Sequence, residues 1–126
     1  MLVANRLFYE AFSRRDLAAM VRVWATEHAV SCVHPGWHVL RGREAVLSSF
    51  RAILSSSDSP DLHASDEVVV LVGDTAVVTC HEHVRGAEVA ATNVFVRERE
   101  GWKMISHHAS AAAVVRPQRT PPSTLN

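Results

Sequence analysis

The second half of the chain is a succession of four apolar segments separated by short turns, and this pattern limits the possible folds more than any other feature. The segments cover residues 62–72, 76–84, 89–98 and 102–110, and the turns contain Gly73, Gly86 and Gly101. The segments are rich in valine, which is typical of strands. Strands joined by so few residues are antiparallel neighbours. We therefore predict a meander of four strands.

The first residues have the spacing of helices instead. Apolar side chains within residues 2–13 recur at steps of three and four, which predicts an amphipathic helix with Asn5 on its polar side. Asp16 can cap a second helix, in which apolar residues from Leu17 to Trp24 keep the same spacing. The two helices should form a hairpin that covers the sheet.

A short strand and a third helix follow the helical hairpin. Residues 29–34 alternate as a strand does and stop at Pro35-Gly36, so Val30, Cys32 and His34 should share one face. The third helix should cover residues 45–54, and a polar connector then leads to the meander.

This order of elements predicts an α+β fold. Three N-terminal helices would pack on one face of a strongly curved, mostly antiparallel sheet and close it into a cone with a pocket. We assign residues 1–115 to a single domain, because 126 residues fit one domain of ordinary size. Residues 116–126 contain three prolines and should form a flexible tail.

Composition limits the partners and the location. Thirteen basic residues balance thirteen acidic ones, so we expect binding neither to nucleic acid nor to a membrane. Cys32 and Cys80 each lie within an apolar run, as buried thiols do, which favours a reducing cytoplasm. The first residues lack the pattern of a signal peptide, and no segment approaches the roughly 18 apolar residues of a membrane span.

The last strand ends in two adjacent histidines, which must point to opposite faces. If residues 99–101 form a three-residue loop, Glu98 pairs with Trp102, and Asn93 pairs with His107. The face of Asn93 and His107, which we predict to line the pocket, would then also carry Phe95 and Ile105. The opposite face would carry Val94, Val96, Trp102, Met104 and His108.

Other polar and aromatic residues are candidates for the same pocket. His34 ends a strand, and Trp37 follows directly after the Pro-Gly turn, where loops often carry function. Tyr9 and Trp24 are single aromatics on or beside the helical stripes; core packing is the main alternative for them. His81 joins the lining if an irregular turn near Gly86 shifts its face.

Two other chemistries are less well supported. His81 and His83 share a strand face, as some metal ligands do, but a complete ligand set is missing, and we predict no metal site. A cysteine–histidine nucleophile is disfavoured, because Cys80 and His81 point to opposite faces and Cys32 has the surroundings of a packing residue. His34 and His107 remain candidate acid–base residues, since the pKa of histidine lies near neutral pH.

The order helix, helix, strand, helix and meander resembles the nuclear transport factor 2-like superfamily, which includes ketosteroid isomerases and SnoaL-like polyketide cyclases. The segments Cys-Val-His-Pro-Gly-Trp (32–37) and Gly-Arg-Glu-Ala-Val (42–46) resemble bacterial SnoaL-like proteins. The last two strands also resemble the association domain of calcium/calmodulin-dependent kinase II. The resemblance covers residues 2–112 and implies a cystatin-like cone, a pocket on one sheet face and a homodimer through the other.

The resemblance implies only part of a site. Ketosteroid isomerases use an aspartate base with a tyrosine and a protonated aspartic acid as donors; this chain has His34 where an acid is expected, and Tyr9 is the candidate donor. The association domain has arginines in its pocket, whereas this chain has His81, Asn93 and Ala109 at the matching positions. These residues favour a neutral or weakly acidic ligand.

Three functions remain open. The chain could be an acid–base enzyme, namely an isomerase, cyclase or hydrolase that acts on a small hydrophobic carbonyl compound. It could instead be a non-catalytic binder of such a molecule, or a homo-oligomeric assembly domain. In the first two cases His34 and His107 would be the catalytic or anchoring residues, with Tyr9, Trp24, Trp37, His81 and Asn93 in contact with the ligand. We expect no cofactor.

Overall fold

The structure, a computed structural model, describes residues 2–112. The predicted tail at 116–126 and the predicted domain end at residue 115 lie outside the described residues. In the described part, no helix is long and apolar enough to cross a membrane. The elements are, in order, α1 (Leu2–Ser13), α2 (Leu17–Val23), β1 (Ser31–Val33), β2 (Leu40–Arg41), α3 (Arg43–Ser55), β3 (His63–Val72), β4 (Thr75–Val84), β5 (Ala87–Glu98) and β6 (Gly101–Ala111).

The helical hairpin forms as the sequence predicts. Arg15 adopts a φ of +54°, which turns the chain between α1 and α2. The carboxylate of Asp16 then accepts a hydrogen bond from the amide of Ala19 at 3.0 Å, the geometry of a helix N-cap. Arg43, at the start of α3, donates to main-chain carbonyls at the end of α2, including that of Trp24 at 2.9 Å. The three helices are thereby fixed relative to one another.

The prediction that Asn5 lies on the polar side of α1 is wrong. Its side chain is fully buried and hydrogen bonded to Asn93 and Glu67, both on the sheet. A buried amide is tolerated when its donors and acceptor are paired. Helical spacing alone does not reveal such a residue, because the partners lie far away in the sequence.

The six strands form one mixed sheet in the order β2-β1-β6-β5-β4-β3, and the helices pack against it. All neighbouring strands are antiparallel except β1 and β6, which are parallel. The short strand β2 was not predicted from the sequence. Three helices and a curved, mostly antiparallel sheet confirm the predicted α+β fold. Because β1 lies beside β6, the chain around His34 meets the chain around His107.

The turn between β4 and β5 is regular. Val84 pairs with Ala87, so Arg85 and Gly86 form a two-residue loop, in which both have positive φ. The pairing continues without a shift along both strands and places Val78 opposite Asn93.

The turn between β5 and β6 is shorter than predicted. Glu98 pairs with Gly101 and Arg97 with Trp102, so the loop has two residues instead of three, and the predicted pairing of Glu98 with Trp102 is wrong. A compensating irregularity follows, where β6 contains one residue more than β5.

The extra residue on β6 is Ile105. Phe95 pairs with Met104 and Val94 with Ser106, after which Asn93 pairs with His107 as predicted. Met104 is therefore fully buried beside Phe95, while Ile105 is only half-buried. The predicted outer place of Met104 is thus wrong, whereas Ile105 still packs against the core as the extra residue of the strand.

The core lies between the helices and the inner face of the sheet. Phe8 from α1 and Phe50 from α3 are completely buried and meet edge to face, with ring centroids 5.8 Å apart. Large buried aromatic side chains contribute about 3 to 5 kcal/mol each, by the cost of truncating them to alanine. These two rings also surround the polar side chains described next.

Candidate functional site

Neighbouring strands bring three of the predicted site residues, His34, Asn93 and His107, to the inner face of the sheet. His107 is paired with Asn93 on one side and with Cys32 on the other, so His34, two residues after Cys32, lies near the same place. The ring centroids of His34 and His107 are 6.3 Å apart. His108 is exposed, so the two adjacent histidines face opposite sides, as predicted.

Tyr9 completes this group from helix α1. Its hydroxyl donates to Glu82 Oε2 at 2.6 Å and accepts from Asn93 Nδ2 at 3.0 Å. Asn93 Oδ1 lies 2.6 Å from Nδ1 of His107. Burial and the nearby Glu82 raise the pKa of Tyr9 far above its usual value, so the phenol stays protonated and acts as a donor.

His107 and Glu82 lie close together, and their pKa values are shifted in opposite directions. Nε2 of His107 lies 3.9 Å from Glu82 Oε2, and both residues are buried. Burial lowers the pKa of His107 to about 3, and the neighbouring His34 and His108 contribute to that lowering. Burial raises the pKa of Glu82, against the effect of the hydrogen bond from Tyr9. A neutral imidazole thus faces a carboxyl group that holds its proton more tightly than usual.

His34 is bound differently from His107. Its Nε2 lies 2.9 Å from Ser49 Oγ, and that hydroxyl uses its proton to bond the carbonyl of Val46 at 2.7 Å. The hydroxyl oxygen must therefore accept a hydrogen bond from a protonated Nε2 of His34. Burial lowers the pKa of His34 to about 4. His34 is a neutral, hydrogen-bonded residue beside the acid–base pair.

The cysteine next to His34 is a thiol rather than a thiolate. Cys32 Sγ lies 3.7 Å from Nε2 of His34, but burial, together with the charge of Glu82, raises the pKa of Cys32 to about 12. Because only the thiolate is a strong nucleophile, the pair does not have the electrostatics of a cysteine–histidine nucleophile.

The predicted aromatic residues have different surroundings. Trp37 is 46% exposed and its ring meets that of His34 edge to face, with 4.8 Å between centroids. Trp24 is buried against Phe50 in the core, and its Nε1 donates to no group among the described residues. The imidazole of His107 packs on a phenylalanine that the sequence did not single out, Phe8, at 4.7 Å.

The prediction that His81 shares a face with Asn93 is wrong. It required an irregular turn, and the turn at Gly86 is regular. His81 instead lies on the outer side of the sheet, where its Nδ1 is 3.3 Å from a carboxylate oxygen of Asp66. Glu82 occupies the inner position. The alternation of Ala76, Val78 and Cys80, all buried, is the sequence signal that extends to Glu82.

The imidazoles are enclosed. His34 and His107 are 5% and 4% exposed. Grooves on the surface of the described part include one of about 580 Å³ near Trp102, one of about 690 Å³ on the outer sheet face near His108, and one of about 300 Å³ beside Tyr9. These three grooves are not lined by His34 or His107, and because both imidazoles are almost fully buried, side chains must move before a ligand reaches them.

Metal ligands do not come together in the described part of the chain. Among residues 2–112, no group of three or more histidine, cysteine, aspartate or glutamate side chains could hold a metal ion. His81 and His83, which share a strand face, bind different partners, since His83 Nε2 lies 2.6 Å from Ser65 Oγ.

Comparison with known proteins identifies relatives of almost the whole chain. The family model described as SnoaL-like domain matches residues 2–114. In the crystal structure of a candidate dehydratase of the nuclear transport factor 2-like family from Streptomyces avermitilis, 41% of the aligned residues are identical. The alignment covers 89% of this chain and 93% of that one, with a TM-score of 0.84.

Two other relatives have different descriptions. A candidate calcium/calmodulin-dependent protein kinase type II association domain from Thiobacillus denitrificans is 32% identical, with 87% and 93% of the two chains covered and a TM-score of 0.78. The F-box protein SKIP8 of Arabidopsis thaliana is 26% identical over 116 residues, which are 90% of this chain. The chain spans only 50% of the length of that curated relative.

Proposed function

The chain belongs to the SnoaL-like domain family of the nuclear transport factor 2-like superfamily, and on that premise we propose that its interior binds a small, largely apolar molecule and transfers a proton within it. The observation that carries this proposal is the buried pair of His107 Nε2 and Glu82 Oε2, 3.9 Å apart. One member is a neutral base and the other a carboxyl of raised pKa. Such opposed shifts are typical of acid–base sites.

Dehydration of a hydroxy-carbonyl compound is the reaction that this pair supports best. His107 Nε2 would take the proton from the carbon next to the carbonyl, while Glu82 gives its proton to the hydroxyl on the adjacent carbon. The electron pair of the broken C–H bond forms the C=C bond, and the C–O bond breaks to release water. Proton return from His107 to Glu82 restores both groups. The description of the Streptomyces avermitilis relative as a candidate dehydratase supports this choice.

The same two groups could instead catalyse an isomerisation. The base would remove a proton from one carbon, the tyrosine hydroxyl would stabilise the enolate oxygen, and a proton would return to another carbon. The Tyr9 hydroxyl donates to Glu82 at 2.6 Å, and in this reaction it would turn that proton from Glu82 to the carbonyl oxygen of the ligand. Both reactions begin with the same step, abstraction of a proton next to a carbonyl.

The charge of the interior favours a neutral ligand. The buried polar residues of the described part are asparagine, serine, histidine and glutamate, with no lysine or arginine among them. A ligand carboxylate placed beside Glu82 would find no buried cation in this region to compensate its charge. We therefore expect a ketone, aldehyde or hydroxyketone rather than a free acid. The exposed Trp37, in contact with His34, marks the place of entry.

The first step is measurable without knowing the natural substrate. We would incubate the protein in D₂O with a panel of small apolar ketones and hydroxyketones and follow deuterium incorporation next to the carbonyl by NMR. His107→Gln should lower the exchange rate at least about 100-fold, the range of a general acid–base contribution, and Glu82→Gln should lower the release of water from hydroxyketones by a similar factor. His81→Gln, a histidine variant outside the interior, should retain the wild-type rate.

The outcomes separate the alternatives. Exchange that His107→Gln leaves unchanged would exclude the proposed base. Compounds that bind and shift the signals of Tyr9 and His107, yet exchange no deuterium, would favour the non-catalytic binder. Compounds that shift only the residues around Trp102 would place binding in the outer groove and contradict the interior site.

Oligomeric assembly is a second function with its own support. The outer part of β3, an edge strand of the sheet, exposes Val68, Val70, Leu71 and Val72, each by 54 to 65%. The Thiobacillus denitrificans relative is described as a candidate association domain. We infer that this strand takes part in a homodimer interface, because exposed valines and leucine on an edge strand favour association.

Light scattering after size exclusion tests the assembly directly. The wild-type chain should have twice its monomer mass, and Val68→Asp with Val70→Asp should reduce it to the monomer mass. Val3→Asp is the matched control, since Val3 on α1 is 62% exposed. A monomeric wild type, or a double variant that remains dimeric, would contradict the inference.

A further inference from the structure

A row of hydrogen bonds joins strand β3 to the interior, and we call it the amide row. Glu67 Oε2 accepts from Asn5 Nδ2 at 2.6 Å. Asn5 Oδ1 accepts from Asn93 Nδ2 at 2.8 Å. Asn93 Oδ1 lies 2.6 Å from His107 Nδ1. Four side chains from β3, α1, β5 and β6 are thus connected end to end, from a partly buried carboxylate to the proposed base.

An irregularity in β3 directs Glu67 toward this row. The pairing with β4 shifts between Ser65 and Val68, where Asp66 has a φ of +58°. A regular strand continuing from Ser65 would turn Asp66 inward, and the extra residue gives that inner position to Glu67 instead. Asp66 forms an ion pair with His81 on the outer side, and Glu67 bonds to the amide row on the inner side.

Each member of the row fixes the orientation of the next. A carboxylate only accepts hydrogen bonds, so Asn5 must present its NH₂ group to Glu67 and its oxygen to Asn93. Asn93 then uses its NH₂ group toward Asn5 and the Tyr9 hydroxyl, which leaves its oxygen for His107. On His107, the group that can bond to that oxygen is a protonated Nδ1.

The proton on Nδ1 decides which nitrogen of His107 is basic. Burial keeps the ring neutral at pH 7, and a neutral imidazole carries a single proton. With that proton on Nδ1, Nε2 has a free lone pair and faces Glu82. The opposite tautomer would direct an N–H toward Glu82 and leave no base there.

We infer that Glu67 is a positioning residue, whose carboxylate acts through Asn5 and Asn93 to hold His107 in the Nδ1–H tautomer. The catalytic consequence, a free Nε2 at the reacting carbon, rests on the proposed function. The tautomer itself does not, because it is a property of the protein without any ligand.

NMR of protein labelled with nitrogen-15 in the histidine rings reads the tautomer directly. The signals of His107 are assigned by their loss in His107→Gln. In the wild type, Nδ1 should show the shift of a protonated nitrogen and Nε2 that of an unprotonated one at pH 7. A wild-type His107 in the Nε2–H form would overturn the inference before any further variant is made.

Glu67→Gln tests the role of the carboxylate with nearly the same shape. A glutamine can donate as well as accept, so Asn5 is no longer forced into one orientation, and the Asn93 amide is then held in its orientation by the Tyr9 hydroxyl alone. The Nε2–H form of His107 should rise from undetectable to roughly a tenth of the population, the upper range for a minor conformational state. An unchanged, purely Nδ1–H spectrum in Glu67→Gln would overturn the inference.

A second variant restores the direction of the row by moving the carboxylate. In Asn5→Asp combined with Glu67→Gln, the new carboxylate at position 5 accepts from the glutamine amide at position 67 and from Asn93, so His107 should return to the Nδ1–H form. Asp66→Asn is the matched control, because this neighbouring acid faces His81 on the outer side; it should leave the His107 signals as in the wild type. Failure of the double variant to restore the tautomer would also contradict the proposed relay.

The deuterium exchange rate of Glu67→Gln provides a second, separate test. Where the deuterium exchange of the proposed function is observed, Glu67→Gln should lower its rate in proportion to the lost Nδ1–H population and leave ligand affinity unchanged. Where no compound exchanges, the tautomer measurement still decides the positioning role, and only the proposed function fails.

Discussion

Replacing His34 by glutamine should make the protein less sensitive to acid, and the size of the effect follows from its burial. Burial lowers the pKa of His34 from 6.5 to about 4. Below about pH 6.5 the unfolded chain takes up a proton at this residue, whereas the folded protein does not. The free energy of unfolding therefore falls as the pH falls from about 6.5 toward 4.

The magnitude is set by the two pKa values. At about pH 5 the unfolded chain has bound this proton almost completely and the folded protein has bound little of it, which costs about 2 kcal/mol of stability. At about pH 7.5 the cost is close to zero. The free energy of unfolding of small domains is about 5 to 15 kcal/mol, so the loss caused by this single residue is large enough to measure. His107 contributes a loss of the same sign, because its pKa is also lowered.

Urea unfolding at the two pH values measures this cost. His34→Gln should lose about 2 kcal/mol less than the wild type between pH 7.5 and pH 5, because it removes the titrating group. Glutamine is chosen because its amide can still donate to Ser49 Oγ. Contributions from Glu82 and Glu98 are common to both proteins and cancel in the comparison.

His38→Gln, at an exposed position, is the control for loss of a histidine as such. It should retain the acid sensitivity of the wild type. Equal losses in the wild type and His34→Gln would refute the argument, since they would mean that His34 takes up its proton as readily in the folded protein as in the unfolded chain.

Three further changes test the fold by urea unfolding at neutral pH. Asp16→Ala removes the N-cap of α2 and should cost about 1 kcal/mol, whereas Asp16→Asn, which can still accept from Ala19, should cost much less. Glu98→Gln should cost about 1 to 3 kcal/mol, because the Glu98 carboxylate accepts from two backbone amides and from His28 at 2.8 Å; an unchanged stability would show that those bonds contribute little. Gly101→Ala should cost about 1 to 3 kcal/mol through its φ of +114°, although space for a methyl group exists; a neutral substitution would contradict this backbone argument.

The inner position of His107 could be predicted because two errors in the register compensate. The sequence predicts a three-residue loop before β6, whereas the loop has two residues and Ile105 is the extra residue in the strand. Both arrangements pair Asn93 with His107. Only the residues between the loop and the irregularity, Met104 among them, are misplaced by the prediction.

The inner position of Glu82 could have been predicted from the alternation of apolar residues along β4. Three buried residues, Ala76, Val78 and Cys80, precede it at every second position, and a regular strand carries that face on to Glu82. The prediction instead favoured His81, its neighbour, on the assumption of an irregular turn. Asn5 and Glu67 were missed for another reason, because nothing in the residues around them indicates a partner.

The sequence by itself determined the helices, the long strands, their order and the pairing that places His107 and Asn93 on one face, because helical and strand periods are local and each is repeated several times. The tertiary structure decided which polar groups meet. Asn5 bonds to residues 62 and 88 positions away, and the direction of Glu67 depends on one extra residue in an edge strand. Such contacts depend on the packing of a helix against a sheet, and the spacing of residues along the chain does not reveal that packing.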